Sequence, residues 1–533
     1  MTCAQPSSDR TLDAINKQTL RAHISFLGDD LLGGRAPGSV GSALAQRYIA
    51  SQMQILGLKP GIEDSSYYQK FNMIEINIKP EMQLRISGKD RDLKLKYYDE
   101  FVAFPGVQKD KIQIKDAELV FVGYGIQASE YKWDDFKDVN VQGKVLLIMN
   151  NDPDTGDPKI FGGKARLYYG RWSYKYEQAA RMGAIGAIII HTAPSAGYPW
   201  KVVQASWSGK QFELPQSRES SLIYKGWITE DVAYRIAQLG GKNLDTLRLA
   251  AEKRDFKPLS LGVTVNGNLS ANYRTIKATN VLGMIPGSDP ELRKQAVIFT
   301  AHYDHLGIGK SVNGDSIYNG ALDNASGVAS ILTLAKTFSQ LDKLPRRSLV
   351  FIALDGEESG LLGSQYYKDN SYFQPKEIAA NINIDGANIW GKTRDIVIIG
   401  SGKSTIDELV KEVAETQGRI VMPDLMPENG YFYRSDQFNF AKIGVPALYL
   451  ERGKDFIGKP EGWGKKTIEN WIATYYHQPS DEYDPNWDLS GQIEDLILVF
   501  QVAYRLANDK KMQSWLPGDE FEAIRQKTIG NKQ

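Results

Sequence analysis

From residue 296 onward, short apolar segments with polar or acidic ends alternate with amphipathic segments of helical spacing. The segment ASGVASILTLAKTF (325–338) has the spacing of a helix, whereas each apolar segment is typical of a buried strand. Strands that alternate with helices predict a mixed, mostly parallel sheet covered on both faces, that is, a three-layer α/β/α domain. The strand segments are AVIFTAHYDHLG (296–307), RSLVFIALDGEE (347–358), IAANINIDGAN (378–388) and IGVPALYLER (443–452).

Acids and histidines follow the predicted strands at the ends where ligands bind in parallel sheets. Taken singly, such residues have ordinary explanations: an aspartate caps a helix, paired glutamates complement a helix dipole, and a histidine packs in a core. Taken together at one sheet edge, so much negative charge is costly without a cation. The candidates are His302, Asp304, Asp323, Glu357, Glu358, Asp385 and, further along the chain, His477.

Nitrogen and oxygen donors without cysteine suit zinc, and manganese and cobalt accept the same donors. Two histidines, two aspartates and one glutamate are too many ligands for one catalytic zinc that keeps an open position. They suffice for two metals if one carboxylate bridges the pair, which in such sites are about 3.5–4 Å apart. The remaining glutamate can then act as the general base.

Five motifs carry a resemblance to a known family: HYD, DNASG, EESGLLGS, NID and YYH, in this order. They resemble the co-catalytic dizinc aminopeptidases, whose family also includes glutamate carboxypeptidase, the transferrin receptor and glutaminyl cyclases. The resemblance covers about 270–510, together with 10–110, and implies a phosphorylase/hydrolase-like peptidase domain. It also implies the ligands, with His302, Asp323 and Asp385 on one metal and His477, Glu358 and the bridging Asp323 on the other.

The same resemblance implies roles for residues around the metals. Glu357 would be the general base, and Asp304 would hydrogen-bond a ring nitrogen of His302. Tyr476 would stabilise the oxyanion. Arg434, in YRSDQF (433–438), would contact substrate, although Gln437 replaces the usual histidine of that loop. His305 is not needed as a ligand and is expected to pack beside the site.

A resemblance to a protease-associated domain covers 115–270, through LVFVGYGI, VNVQGKVLLIMN and YEQAARMGAIGAIII. The predicted organisation is therefore a first part of the peptidase domain (1–114), the inserted domain (115–270), the catalytic part (271–515) and a C-terminal tail (516–533). His191 and His23 are expected to be core residues. The glycine-rich GGRAPGSVG (33–41) predicts turns between two helices.

Charge and cysteine content narrow the classes of partner. Lys+Arg and Asp+Glu are both 64, so the zero net charge gives no support to nucleic-acid or membrane-surface binding. No apolar run is long enough to predict a transmembrane helix. The one cysteine, Cys3, lies in MTCAQPSSDR, which resembles a mature bacterial lipoprotein after its cysteine. That predicts a lipid anchor at Cys3 in a periplasmic, outer-membrane-anchored or secreted bacterial protein; the alternative is a free cytosolic cysteine.

Together with the candidate ligands, the resemblance to the dizinc aminopeptidases implies an exopeptidase with two zinc ions that removes N-terminal residues from peptides, using a water between the metals and Glu357. A dizinc carboxypeptidase or dipeptidase is an alternative, since Arg434, Arg452 and Lys454 offer a candidate cationic pocket. A glutaminyl cyclase-like transferase, with one metal, and a binding protein that has lost ligands are further alternatives. The aromatic stretch 456–476 either walls the specificity pocket or is an ordinary packed loop.

Overall fold

The chain forms two compact units in a computed structural model that describes residues 9–61, 66–157, 159–163, 165–208, 210–216 and 221–530. The first unit comprises Met1–Asn72, Ile276–Leu425 and Arg434–Gln533, and the second comprises Met73–Thr275 and Met426–Tyr433. Cys3, the predicted site of a lipid anchor, lies outside the described residues. No helix in the described part of the chain is long and apolar enough to cross a membrane.

A mixed sheet with a parallel centre forms the framework of the first unit, which confirms the predicted α/β fold. Four neighbouring strands are parallel: Ala447–Arg452, Ile378–Asn383, Ala296–His302 and Ser348–Leu354. Antiparallel neighbours flank them, with Asp395–Ile399 on one side and the end of Leu259–Ile285 on the other. The remaining strands are Ile420–Pro423, Lys59–Pro60, the start of Tyr68–Ile78, and the hairpin Gly307–Val312 and Asp315–Tyr318.

Both faces of this sheet are buried, as expected for apolar strands without polar alternation. Along the strand Ala296–His302, Val297 and Phe299 enter one hydrophobic core, whereas Ala296 and Ile298 enter another. The two cores are closed by helices. These are Asp9–Leu12, Lys17–Leu27, Val40–Ile55, Ser326–Ser339, Leu362–Asp369, Ile406–Thr416, Gln437–Ala441, Trp463–Thr474, Ser490–Asn508 and Glu522–Gly530.

The helix Ser326–Ser339 is buried along nearly its whole length and places the acidic segment before it at the sheet edge. Its hydroxyl groups do not need water, because they donate to carbonyls one turn earlier. Ser330 donates to the Ser326 carbonyl at 2.8 Å and Thr333 to the Ala329 carbonyl at 2.7 Å. A sequence with small and hydroxyl side chains can therefore form a core helix here.

The second unit has its own sheet, in which Val145–Met149, Gly186–His191 and Tyr224–Thr229 are parallel neighbours. Its other strands are Gln83–Ser87, Asp92–Leu95, Phe101–Pro105, Lys111–Phe121, Gln127–Ala128, Trp133–Asp134, Lys210–Glu213, the end of Tyr68–Ile78 and the start of Leu259–Ile285. Its helices are Trp172–Arg181, Ala193–Ala196, Trp200–Ser206, Glu230–Leu239 and Leu244–Ala251.

This second unit takes in residues 73–114, which the sequence placed with the peptidase domain. The reason is the strand pairing: Gln83–Ser87 and Lys111–Phe121 both hydrogen-bond to the first half of Leu259–Ile285. Pairing between segments so far apart leaves no mark in local sequence. The predicted tail (516–533) likewise includes the packed helix Glu522–Gly530, whose Arg525 is buried.

The short segment Met426–Tyr433 also belongs to the second unit, although its neighbours in sequence on both sides belong to the first. The Arg166 amide donates to the Pro427 carbonyl at 3.1 Å, and Gly430 packs against the Arg166 side chain. The predicted core histidines are confirmed as buried. His191 hydrogen-bonds the Tyr198 carbonyl in the second unit, and His23 hydrogen-bonds the Tyr48 hydroxyl in the first.

Candidate metal centre

The predicted ligands meet at the carboxyl edge of the parallel strands in the first unit. His302 is the last residue of its strand, while Glu358 and Asp385 lie just beyond the ends of the two strands beside it. Asp323 precedes the buried helix Ser326–Ser339, and His477 follows the helix Trp463–Thr474 in a left-handed conformation, with φ of 56°. Residues separated by up to 175 positions thus form one site.

Asp323 lies between the two histidines. Its Oδ1 atom is 3.3 Å from Nε2 of His302, and its Oδ2 atom is 3.3 Å from Nε2 of His477. Each oxygen of one carboxylate therefore faces a different imidazole. This is the arrangement that a bridging ligand between two cations requires.

Each histidine has a second carboxylate of its own. Oδ1 of Asp385 is 3.2 Å from Nε2 of His302, and Oε2 of Glu358 is 3.1 Å from Nε2 of His477. Ligand atoms of His302, Asp323 and Glu358 all lie within 4.8 Å of one another. The two halves thus have equal donor sets: one imidazole, one terminal carboxylate and one oxygen of Asp323.

The electrostatics of the site favour positive charge. Burial by itself lowers the pKa of His302, but Glu357 and Asp385 outweigh it and the pKa lies well above its usual range. The pKa of His477 is likewise raised to about 10, because Glu358 and Asp323 outweigh the effect of burial. A site that so strongly stabilises protonated imidazoles fits divalent cations, which supply the same charge to the carboxylates.

Glu357 lies beside the ligands, with a carboxylate oxygen within 4.8 Å of ligand atoms of His302 and Asp385. Burial and the neighbouring charges of Glu358 and Asp385 raise its pKa well above the usual range, although His302 opposes them. A carboxyl group with a raised pKa next to the ligand set has the properties of a group that accepts and returns a proton.

Asp304 contacts His302 differently from the prediction. Its main-chain carbonyl, not its carboxylate, lies 3.2 Å from Nδ1 of His302; the nearest carboxylate oxygen is 3.8 Å away, too far for a hydrogen bond. The carboxylate instead accepts the amides of Glu357 at 3.1 Å and Glu358 at 3.3 Å. The backbone after His302 brings the Asp304 carbonyl to Nδ1 of the ring, and the Asp304 carboxylate holds the main chain of the paired glutamates instead.

Tyr476 stacks on the ring of His477 with 3.9 Å between ring centroids. Although 45% of the residue is exposed, its pKa is raised well above the usual range by burial of the hydroxyl end and by Asp323 and Glu358. The hydroxyl therefore lies close to the site and keeps its proton. Arg434 is exposed, whereas Gln437 is buried and accepts a hydrogen bond from Asn383 at 2.8 Å.

His305 is fully buried beside the ligand set, as the sequence predicted. Its Nδ1 atom is 2.7 Å from Oε1 of Glu358, the oxygen that does not face His477. It therefore fixes the orientation of the Glu358 carboxylate.

Three polar residues near the ligands were not predicted. Ser435 donates to Oδ2 of Asp385 at 2.6 Å, and Asp481 accepts the amides of Leu322 and Asp323 at 2.9 and 3.0 Å. Asp436 is fully buried nearby, and burial raises its pKa to about 6. Ser435 and Asp436 directly follow Arg434, and Asp481 lies four residues after His477, so all three are in segments that the sequence analysis had already selected. Nothing in their spacing distinguishes them from ordinary loop residues.

Comparisons with known proteins agree with this geometry. Residues 280–501, which contain all five ligands, match the family model described as peptidase family M28. A vacuolar membrane protease of Candida dubliniensis is 33% identical over 116 residues, 22% of this chain and 11% of that protein. Leucine aminopeptidase 2 of Trichophyton equinum is 23% identical over 411 residues, 75% of this chain and 66% of that protein. The chain therefore spans less than two thirds of the length of these curated relatives.

A solved structure shows the same fold. The aminopeptidase from Aneurinibacillus sp. strain AM-1 aligns with a TM-score of 0.51 at 20% identity, over 95% of this chain and 97% of that one.

Proposed function

We propose that this chain is a member of peptidase family M28, whose model matches residues 280–501, and that it is a zinc-dependent aminopeptidase that hydrolyses N-terminal residues from peptides. One observation carries the proposal: the two oxygens of Asp323 face two histidines, each of which has its own second carboxylate. The likeness to a leucine aminopeptidase over 75% of the chain supports the reaction class.

We propose that the site holds two zinc ions, one on His302 and Asp385, the other on His477 and Glu358, with Asp323 shared. Manganese and cobalt suit the same donors. When bound, the ions would polarise the scissile carbonyl and make water a stronger acid.

The chain's own residues supply the proton transfers. Glu357 takes a proton from the attacking water as its oxygen bonds to the carbonyl carbon, and gives it to the leaving nitrogen as the C–N bond breaks. Asp304 keeps Glu357 in place by accepting its main-chain amide. Tyr476, which keeps its proton, donates a hydrogen bond to the oxygen that becomes negative.

The charges around the site favour an aminopeptidase over a carboxypeptidase. Buried carboxylates surround the ligands, and they attract the ammonium group of a free N-terminus but repel a C-terminal carboxylate. Arg452 lines a small cavity together with Asp385, but Glu451 and Asp495 line the same cavity. A cyclase with one metal would not need a second complete donor set, and a binding protein would not need to keep every ligand.

Two finer features are part of the proposal. We propose that the second unit is an inserted protease-associated domain, supported by the segments that resemble one in sequence. We also propose a location outside the cytoplasm of a bacterium, with Cys3 as lipid anchor, supported by the resemblance of MTCAQPSSDR to a lipoprotein. Cell fractionation and incorporation of labelled palmitate, compared with Cys3→Ser, test the location.

The function is tested with purified protein, metal analysis and paired substrates. We expect two zinc ions per chain and hydrolysis of aminoacyl-anilides, with little hydrolysis of the same residues blocked at the nitrogen. Glu357→Gln should abolish turnover and keep both ions, whereas Glu412→Gln, at an exposed surface position, should keep normal turnover. Full activity of Glu357→Gln, or equal rates on blocked peptides, would contradict the proposal.

A further inference from the structure

Arg35 is a fully buried arginine whose side chain reaches the base of the metal centre. It lies in the stretch GGRAPGSVG, at the end of the 3-10 segment Asp30–Arg35, and has a left-handed backbone with φ of 54°. The two preceding residues, Gly33 and Gly34, also have positive φ. Three consecutive left-handed residues, one of them not glycine, persist only where surrounding contacts hold them.

Those contacts are made by the guanidinium group. Nε donates to the Tyr303 carbonyl at 2.6 Å, Nη1 to the Asn319 carbonyl at 2.5 Å and Nη2 to the Gly320 carbonyl at 2.9 Å. Nη1 also donates to the Leu27 carbonyl at the end of an N-terminal helix. All four acceptors are main-chain oxygens, and a planar group with five fixed N–H bonds is the side chain suited to bind so many at once.

Three of the four acceptors lie close to ligands in the sequence. Tyr303 is the residue between His302 and Asp304. Asn319 and Gly320 lead directly into the segment Ala321–Ala325, which contains Asp323. One side chain therefore ties the loop of the first histidine to the loop of the bridging carboxylate. From the other side, Asp481 holds the amide of Asp323.

The positive charge of Arg35 also complements the carboxylates of the metal centre. Burial lowers its pKa to about 10, but Asp304, Asp481 and Asp323 counteract that effect, so the group stays protonated at neutral pH. A fixed positive charge close to these carboxylates offsets part of their mutual repulsion in the metal-free protein.

We propose that Arg35 is a positioning residue of the metal centre, which sets the affinity for zinc by fixing the loops of His302 and Asp323 relative to each other. The inference rests on the proposed function only in taking zinc as the metal. Groups that orient ligands from behind commonly change metal affinity by about 10–100-fold when they are removed. Loss of Arg35 should have an effect of that size.

The test is Arg35→Lys, which keeps the charge but has only one nitrogen for the four carbonyls. Its matched control is Arg525→Lys. Arg525 is also buried and donates to three main-chain carbonyls, those of Gln513, Pro375 and Ile378, but Ile378 begins its strand, at the end opposite the metal centre. Zinc affinity is measured by competition with a chromogenic chelator, and folding by circular dichroism and thermal unfolding of the metal-free proteins.

We expect both variants to unfold at lower temperature, but only Arg35→Lys to bind zinc about 10–100-fold more weakly. Wild-type affinity in a folded Arg35→Lys protein would overturn the inference. Wild-type protein that binds no zinc would instead contradict the proposed function, so the two failures are distinct.

If Arg35→Lys does not fold, Asn319→Ala provides the second measurement. The Asn319 side chain donates to the Gly28 carbonyl at 2.8 Å and to Asp30 at 2.7 Å, and so ties the same loop to the same N-terminal element. Its loss should weaken zinc binding in the same direction while Arg35 stays in place. Unchanged zinc affinity in Asn319→Ala would then overturn the inference.

Discussion

Replacing Ser435 by alanine should weaken one half of the metal centre and leave the other half nearly unchanged. The Ser435 hydroxyl donates to Oδ2 of Asp385 at 2.6 Å, while the other oxygen of Asp385 faces His302. The residue is buried, so water cannot easily replace the lost donor. In the variant the Asp385 carboxylate is no longer held in one orientation, and ordering it when an ion binds lowers the affinity for that ion.

The expected size follows from the chemistry of this bond. A hydrogen bond to a charged group contributes about 1.5–3 kcal/mol, and every 1.4 kcal/mol corresponds to about tenfold in affinity. We therefore expect Ser435→Ala to lower the affinity for the ion held by His302 and Asp385 by about 10–100-fold. The ion held by His477 and Glu358 shares only Asp323 with it and should change much less.

The assay is stepwise removal of zinc by a chelator, with the zinc that remains measured at each step. Ser330→Ala is the matched control. Ser330 also donates one hydrogen bond, to the Ser326 carbonyl, and accepts one, from Gln492, as Ser435 does from Asn383. If Ser435→Ala and Ser330→Ala release zinc at the same chelator concentration, Ser435 does not support the ligand and the reasoning is wrong.

Further expectations concern His305, His23 and the metals themselves. His305→Gln should keep both ions and lower zinc affinity by less than tenfold, whereas His302→Gln should lose an ion; equal losses by metal analysis would contradict this. Burial, with a smaller effect of Lys336, lowers the pKa of His23 from 6.5 to about 4, so the folded state favours the neutral ring. The contribution of His23 to the free energy of unfolding is therefore fully present above about pH 6.5. It is lost as the pH falls toward 4, by at most about 3 kcal/mol. The free energy of unfolding, measured with urea, should therefore be higher at pH 7 than at pH 5, and His23→Gln should reduce this difference between the two pH values. The same difference in the variant and the wild type would show that His23 is not the residue responsible. Chelation should lower the thermal unfolding midpoint, because the buried carboxylates then repel one another, and added zinc should restore it; an unaffected midpoint would show that no ion was bound.

The central strands, and the meeting of the candidate ligands at one edge of the sheet, were predictable because they depend on local patterns. Apolar runs such as AVIFTAH bury both faces of a strand, and the polar residue that ends each run marks the edge of the sheet. Parallel neighbours bring those ends together, so residues far apart in sequence could be assigned to one site before any distance was known. The strands Ala296–His302 and Ser348–Leu354 begin and end within the predicted segments.

The supporting residues could not be predicted in this way, because their roles depend on non-local contacts. Arg35 lies in a glycine-rich stretch that indicates a turn, and a turn composition gives no sign that a charged side chain within it is buried. Asp304 was placed beside His302 correctly, but sequence spacing does not tell whether the carbonyl or the carboxylate makes the contact. In sequence Asp481 resembles its acidic neighbours Glu482 and Asp484, but in the structure it alone of the three is buried, and it accepts the amides of Leu322 and Asp323.

The segment Met426–Tyr433 makes the second unit a module of two pieces. Cutting residues 73–275 from the chain, or exchanging them for those of a relative, would leave Pro427 without the amide of Arg166. The loosened segment leads within two residues to Ser435, the donor to Asp385. A chimera that preserves the metal centre therefore has to exchange both pieces together, and alignments of the inserted region alone underestimate what has to be inherited as a block.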